Sequence, residues 1–264
     1  MMDSQRIVRI EGARNLRDLG GYETADGGRV RWRMLFRSGT LGPFDDKHLA
    51  TLQALNIRTI CDLRTNTERR REPFAFNDLV AAESYLAWDY DTVHEWARSF
   101  GRDPSPATAR RVMFEVYESL PGRFADRFGT IFGKLAAGET PLLFNCSAGK
   151  DRTGITAALI LTVLGVPRAT VLEDYALSDK IVDYEREVVQ PRLAAGDSAA
   201  AGFAEIAALP PFVRAPLLAS DPDYLDHALA HLERTHGSIE RFLDEAGGAN
   251  VALIAETRKR LIEY

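Results

Sequence analysis

The sequence predicts an α/β fold in which a central, mostly parallel sheet is flanked by helices. Short β-rich runs alternate with segments of helical period. No period of about 20 to 50 residues repeats, as a solenoid or propeller would require. With 264 residues, 45% of them hydrophobic, the chain can bury a large core.

In chain order, "MLFRSG" (34–39) and "IRTICDL" (57–63) read as strands. Between them Leu49, Leu52 and Leu55 recur at helical spacing behind Asp45, a capping residue type. "SYLAWDY" (84–90) and "PLLFN" (141–145) read as further strands, with Pro141 at a strand start, where it removes no needed donor. Phe124, Phe128, Ile131, Phe132 and Leu135 share one face of a predicted helix that packs against a second, "ATARRVMFEVYESL". Ile155 to Val166 is an apolar run, short of the roughly 18 residues a membrane span takes, and reads as a buried helix.

The helical pattern resumes at Arg168 and runs to Pro191 and Gly196. The stretch 194–216 is rich in Ala, Gly and Pro, and reads either as a mobile cover or as a plain surface excursion. The expectation is one domain over 1–264, with a helical lid inserted at about 180–220. The tail reads as three helices broken at Gly237 and at Gly247 and Gly248.

A net charge of −5, from 33 Lys and Arg against 38 Asp and Glu, argues against nucleic acid as a partner, so an anionic ligand must be gripped locally. Two cysteines, Cys61 and Cys146, suit a reducing compartment, and the opening is polar, without the apolar core a secretory signal needs, so export by that route is not expected. A cytoplasmic location follows as the expectation, with export by a signal-independent route left open.

The stretch "LLFNCSAGKDRTG" (142–154) runs from a strand through a glycine-bearing turn into a helix. Ligands in mostly parallel sheets bind beyond the carboxyl ends of the strands, which is where Cys146 falls. Five residues separate Cys146 from Arg152. A loop of that length can turn the backbone N–H groups of Ser147, Ala148, Gly149, Lys150, Asp151, Arg152 and Thr153 toward an anion such as phosphate or sulfate, aided by the helix N-terminus. The same donors favour a thiolate, making Cys146 a nucleophile. Arg152 offers a planar fork for two phosphoryl oxygens, and the Thr153 hydroxyl is expected to steady the sulfur.

"CSAGKDRTG" resembles the phosphate-binding loop of cysteine-dependent phosphatases, and its ending is similar to that of the bacterial and fungal tyrosine-phosphatase family. "ARNLRDLGGY" (13–22), "LFRSGTL" (35–41), "LNIRTICDLRTNTERRREP" (55–73) and "DPDYLDHALAHLERTHGSIERFLDEAG" (221–247) resemble segments of that family in the same order. The resemblance implies a cysteine-phosphatase-like fold and hydrolysis of phosphate monoesters through a phosphocysteine, without a cofactor or metal. Its implied substrate is phosphotyrosine in protein, with phosphoserine and phosphothreonine open and a phosphoinositide or inositol phosphate as the alternative. The family usually carries histidine before the nucleophile. Here Asn145 stands in its place, which leaves a weakened phosphate-binding module as a further alternative.

Ester cleavage needs a carboxyl group to protonate the leaving oxygen. The resemblance points to Asp91, with Asp89 as a substitute and Asp151 in the loop for acid or water-positioning work. Lys150 is expected at the pocket mouth, where it could read a second phosphate. The run Arg69, Arg70, Arg71, between Glu68 and Glu72, reads as a salt-bridged surface. Arg14, Arg17 and Arg64 are candidates for contacts behind or beside the pocket. Cys61 reads as a buried apolar residue, the alternative being a resolving thiol. His227 and His231, four apart, lack the companions a zinc site needs.

Overall fold

The computed structural model describes residues 5–91, 104–194 and 206–264. Strands β1 (Arg17–Asp18), β3 (Leu35–Ser38), β4 (Thr59–Asp62), β5 (Tyr85–Ala87) and β6 (Leu142–Asn145) form a sheet in the order β1-β3-β6-β4-β5. β6 lies at its centre, parallel to β3 and β4, while β5 runs parallel to β4 and β1 antiparallel to β3. A separate ribbon pairs β2 (Arg29–Val30) with β7 (Ile262–Glu263).

Alternation along the strands divides the core in two. Leu35, Cys61, Leu142 and Phe144 face one apolar cluster; Phe36, Ile60 and Leu143 face the other. The first cluster is covered by helices α3 (Pro106–Arg123), α4 (Ala125–Ala137), α5 (Asp151–Val163), α6 (Arg168–Ala176), α10 (Pro222–His236), α11 (Ile239–Glu245) and α12 (Val251–Leu261). The second is closed by Leu52 of α1 (Asp46–Gln53) together with Ile10, Leu16 and Val80. Asp45 caps α1 by accepting from the His48 N–H, as its residue type predicts. Phe128, Ile131, Phe132 and Leu135 are buried on the predicted face of α4.

The helical tail has the expected three pieces. The long helix predicted from Arg168 is instead broken. After α6 and the short α7 (Ser178–Ile181) the chain turns extended at Val182, which buries itself with Tyr184 and Val188. A π-turn, Glu185–Val189, then leads into α8 (Gln190–Ala194).

The predicted cover at 194–216 lies partly outside the described residues, which resume at Ile206. Its later part leads into α9 (Pro211–Leu218), where the buried Arg214 forks onto Glu185, 2.8 Å from each carboxylate oxygen. Among the described residues no helix is long and apolar enough to cross a membrane.

Candidate active site

Cys146 follows β6 directly and is 2% exposed. The loop after it packs backbone against backbone on the chain leaving β3. A Cβ on Gly39 would lie 2.9 Å from the Ala148 carbonyl carbon, and one on Gly149 would lie 2.5 Å from the Gly39 nitrogen. Gly149 also has φ of +71°, which other residues adopt at a cost.

Two loop carbonyls are fastened from outside. Ser147 O accepts from Arg14 Nη1 (2.9 Å) and the Thr40 N–H (2.9 Å). Gly149 O accepts from Asn15 Nδ2 and Arg37 Nη2, both at 2.9 Å. In a trans peptide the N–H points opposite the carbonyl, so the Ala148 and Lys150 N–H groups are turned away from these donors. Arg14 also reaches Glu187 O at 2.9 Å, tying the loop to the π-turn.

Beneath this layer lies a buried charge cluster. Asp174 of α6 accepts from Arg17 (Nε, 3.1 Å), Arg37 (Nη1, 2.7 Å) and the Tyr22 hydroxyl (2.9 Å). Burial alone would push its carboxyl up, but Arg17 and Arg37 outweigh it and hold the group below the usual carboxylate range.

Arg152, at the start of α5, is fixed by Glu68 of α2 (Asn66–Arg71). Nη1 lies 2.6 Å from Oε2 and Nη2 lies 2.7 Å from Oε1, while Nη1 also donates to Leu63 O (3.0 Å) and the Tyr90 hydroxyl (3.1 Å). Burial opposes its charge. Glu68, followed by Cys146 and Tyr90, overrides that cost and holds the guanidinium pKa well above its ordinary value.

Other predicted residues sit differently. Lys150 is buried, and its Nζ donates to Leu217 O (2.7 Å) and Ala219 O (3.2 Å), so the side chain meets the end of α9 rather than the pocket mouth. The Thr153 hydroxyl donates to Ser38 O at 3.3 Å. Asp91 is half exposed and caps α2, accepting from the Thr67 N–H at 2.9 Å, which lowers its carboxyl pKa. Asp89 is exposed beside Arg69. Asp151 accepts from the Tyr117 hydroxyl at 2.7 Å. Asn145 is buried, and among the described residues neither of its side-chain polar atoms has a hydrogen-bond partner.

Arg64 holds Asp62 through Nε and Nη2 and donates to Glu72 O. Cys61 is fully buried, and burial pushes its thiol up to about 12. His227 and His231 both meet Glu118, yet among the described residues no group of His, Cys, Asp and Glu is disposed to hold a metal ion.

In the arginine run, Arg69 pairs with Asp89 and Arg70 with Asp91, while the flanking glutamates also serve the loop. Glu68 turns to Arg152, and Glu72 accepts from the Thr40 hydroxyl at 2.7 Å and the Ser147 hydroxyl at 3.5 Å. Sequence reasoning missed both glutamates, and also Tyr90, Tyr117 and Asp174. One signal was available. Thr65 and Glu68 have the spacing of a capping box, which the structure contains, and that would have oriented Glu68 at a helix start.

A fastened loop on the carboxyl edge of a mostly parallel sheet, with a cysteine at its base, is consistent with a cysteine-phosphatase fold. The chain belongs to the tyrosine phosphatase family, whose model matches residues 8–263, and it is accordingly a phosphoric monoester hydrolase. It is 33% identical over 238 residues to a Cupriavidus necator protein whose name assigns it to the tyrosine-protein phosphatases, covering 90% of this chain and 83% of that one. It is 32% identical over 276 residues to the triple specificity protein phosphatase PtpB of Mycobacterium tuberculosis, covering 91% and 94%. A tyrosine-protein phosphatase of Nostoc commune is 32% identical over 148 residues, 54% of this chain and 47% of that one.

Proposed function

We propose that the protein hydrolyses phosphotyrosine in proteins through a phosphocysteine on Cys146. The observation that carries this reading is the loop itself: Ser147 and Gly149 carbonyls fastened outward, Arg152 fixed by Glu68, and Cys146 buried where the loop leaves β6. Amides of residues 147–153 and the Arg152 fork bind the phosphoryl oxygens and take up the charge that grows on them.

In the first step the Cys146 thiolate attacks phosphorus, the P–O ester bond breaks, and the leaving oxygen receives a proton from Asp91. In the second, Asp151 takes a proton from water, the oxygen attacks phosphorus, and the S–P bond breaks to return the thiolate with inorganic phosphate. Asp151 suits the base role because a hydroxyl donor and the Lys150 ammonium, 3.4 Å away, accompany its carboxylate. Asp91 caps a helix, which lowers its pKa and so the fraction of time its carboxyl carries a proton; that favours the phenolate of tyrosine, with a parent pKa of about 10, over the far more basic alkoxides of serine and threonine. The mycobacterial relative is named a triple specificity protein phosphatase, which supports a substrate range wider than one class of ester. The buried Lys150 ammonium lends no support to an inositol-ring substrate.

Rapid-mix assays with para-nitrophenyl phosphate test the reading. The wild type should give a burst and a trappable phosphocysteine, and Cys146→Ser neither, while still binding phosphate. Turnover retained by Cys146→Ser would assign a different nucleophile. Phosphotyrosyl peptides should be turned over faster than phosphoseryl peptides or phosphoinositides.

A further inference from the structure

Two tyrosines that the proposed reaction does not use lie beneath the loop. Tyr117 of α3 and Tyr175 of α6 are 0% and 1% exposed, with rings edge to face and centroids 5.9 Å apart. Tyr175 is pinned under the start of α5, where a Cβ on Gly154 would come within 2.9 Å of its ring. The two hydroxyls are hydrogen-bonded to each other, and that of Tyr117 reaches Asp151 Oδ1 at 2.7 Å.

Proton counting orders the chain. An ionised carboxylate only accepts, so the single Tyr117 proton points to Asp151, and the bond between the tyrosines takes its proton from Tyr175. Burial, then the Asp151 charge, pushes both hydroxyls well above their ordinary pKa, so both stay protonated as donors. The polarised relay Tyr175 to Tyr117 to Asp151 strengthens its last bond.

We propose that Tyr117, backed by Tyr175, is a positioning residue that holds the Asp151 carboxylate in one orientation and so sets the pH range in which the site works. This rests on the reading of Asp151 as the group that activates water. Asp151 keeps a third of its side chain exposed, and Tyr117 holds Oδ1 from below, while among the described residues no hydrogen bond reaches Oδ2. The groups facing it are Lys150 from the loop, Tyr117 from α3, Tyr175 from α6, the buried Tyr184 before the π-turn, and the N-terminus of α5.

The test follows the Asp151 carboxyl carbon by NMR titration, with Asp151→Asn for assignment. Tyr117→Phe keeps the ring and removes the donor, and should move the titration midpoint up by at least half a pH unit. Tyr175→Phe should move it up by less. In kinetics the acid limb of the kcat profile should move up with the midpoint while KM stays within twofold, which loss of packing alone would not produce.

A midpoint unmoved in folded Tyr117→Phe overturns the proposal. Should that variant not fold, the wild type serves. The Tyr117 hydroxyl proton should be seen in slow exchange and should shift on Asp151→Asn, and its insensitivity overturns the proposal equally. Neither NMR readout needs turnover, so absence of phosphatase activity would count against the proposed function alone.

Discussion

Arg152 grips Glu68 with both terminal nitrogens, at 2.6 and 2.7 Å, across 84 residues of chain. A bidentate guanidinium pair fixes the plane of the fork as well as its place, so under the proposed function Glu68 is a positioning residue for Arg152. Glu68→Gln retains a residue type that completes the capping box but loses the charge. It should lower kcat/KM by about tenfold through misalignment of the fork, with little change in Tm. Equal activity in steady-state assays would remove Glu68 from the site.

Asn145 is an amide buried next to Cys146 in the chain, and among the described residues its side chain has no hydrogen-bond partner. Such a group costs stability, so Asn145→Leu should raise unfolding free energy by about 1 kcal/mol in denaturant titration. Asn145→His should raise kcat by supplying a donor next to the thiolate. An unchanged rate would show that the loop amides hold the sulfur without help.

Asp174 links α6 to β1 and β3 under the loop. Asp174→Asn leaves two buried guanidinium groups without their anion and should cost about 3–5 kcal/mol. The sign of the pH dependence follows from the lowered pKa of the folded state. The stabilisation is complete above the unfolded carboxylate value, about 4, and is lost as pH falls below it toward the lower folded value. Wild-type Tm should therefore fall more steeply than that of Asp174→Asn below pH 4.

Gly39 leaves no room between β3 and the loop. Gly39→Ala must push Ala148 away, at a cost of about 1–3 kcal/mol, and should lower kcat by roughly a hundredfold because the anion-binding amides move with it. Full activity in Gly39→Ala would mean that the loop tolerates displacement.

Strands and helices were legible where side chains repeat with a local period: β3, β4, β5 and β6 lie within the predicted runs, and Asp45 caps α1. β1 escaped notice because a two-residue strand has no period to detect. The break at Val182 escaped because a helical pattern does not reveal that one member will turn inward to pack with Tyr184 and Val188.

By itself the sequence determined the loop from Cys146 to Gly154 and its place after a strand, since spacing along eight consecutive peptides is a local property. Only the tertiary structure decided which groups surround it. Glu68 rather than solvent meets Arg152, Tyr117 meets Asp151 across 34 residues, and α9 takes the Lys150 ammonium. The physical reason is that these partners are chosen by strand order and helix packing. A charged side chain pairs with whatever the fold brings within about 3 Å, not with its neighbour in sequence.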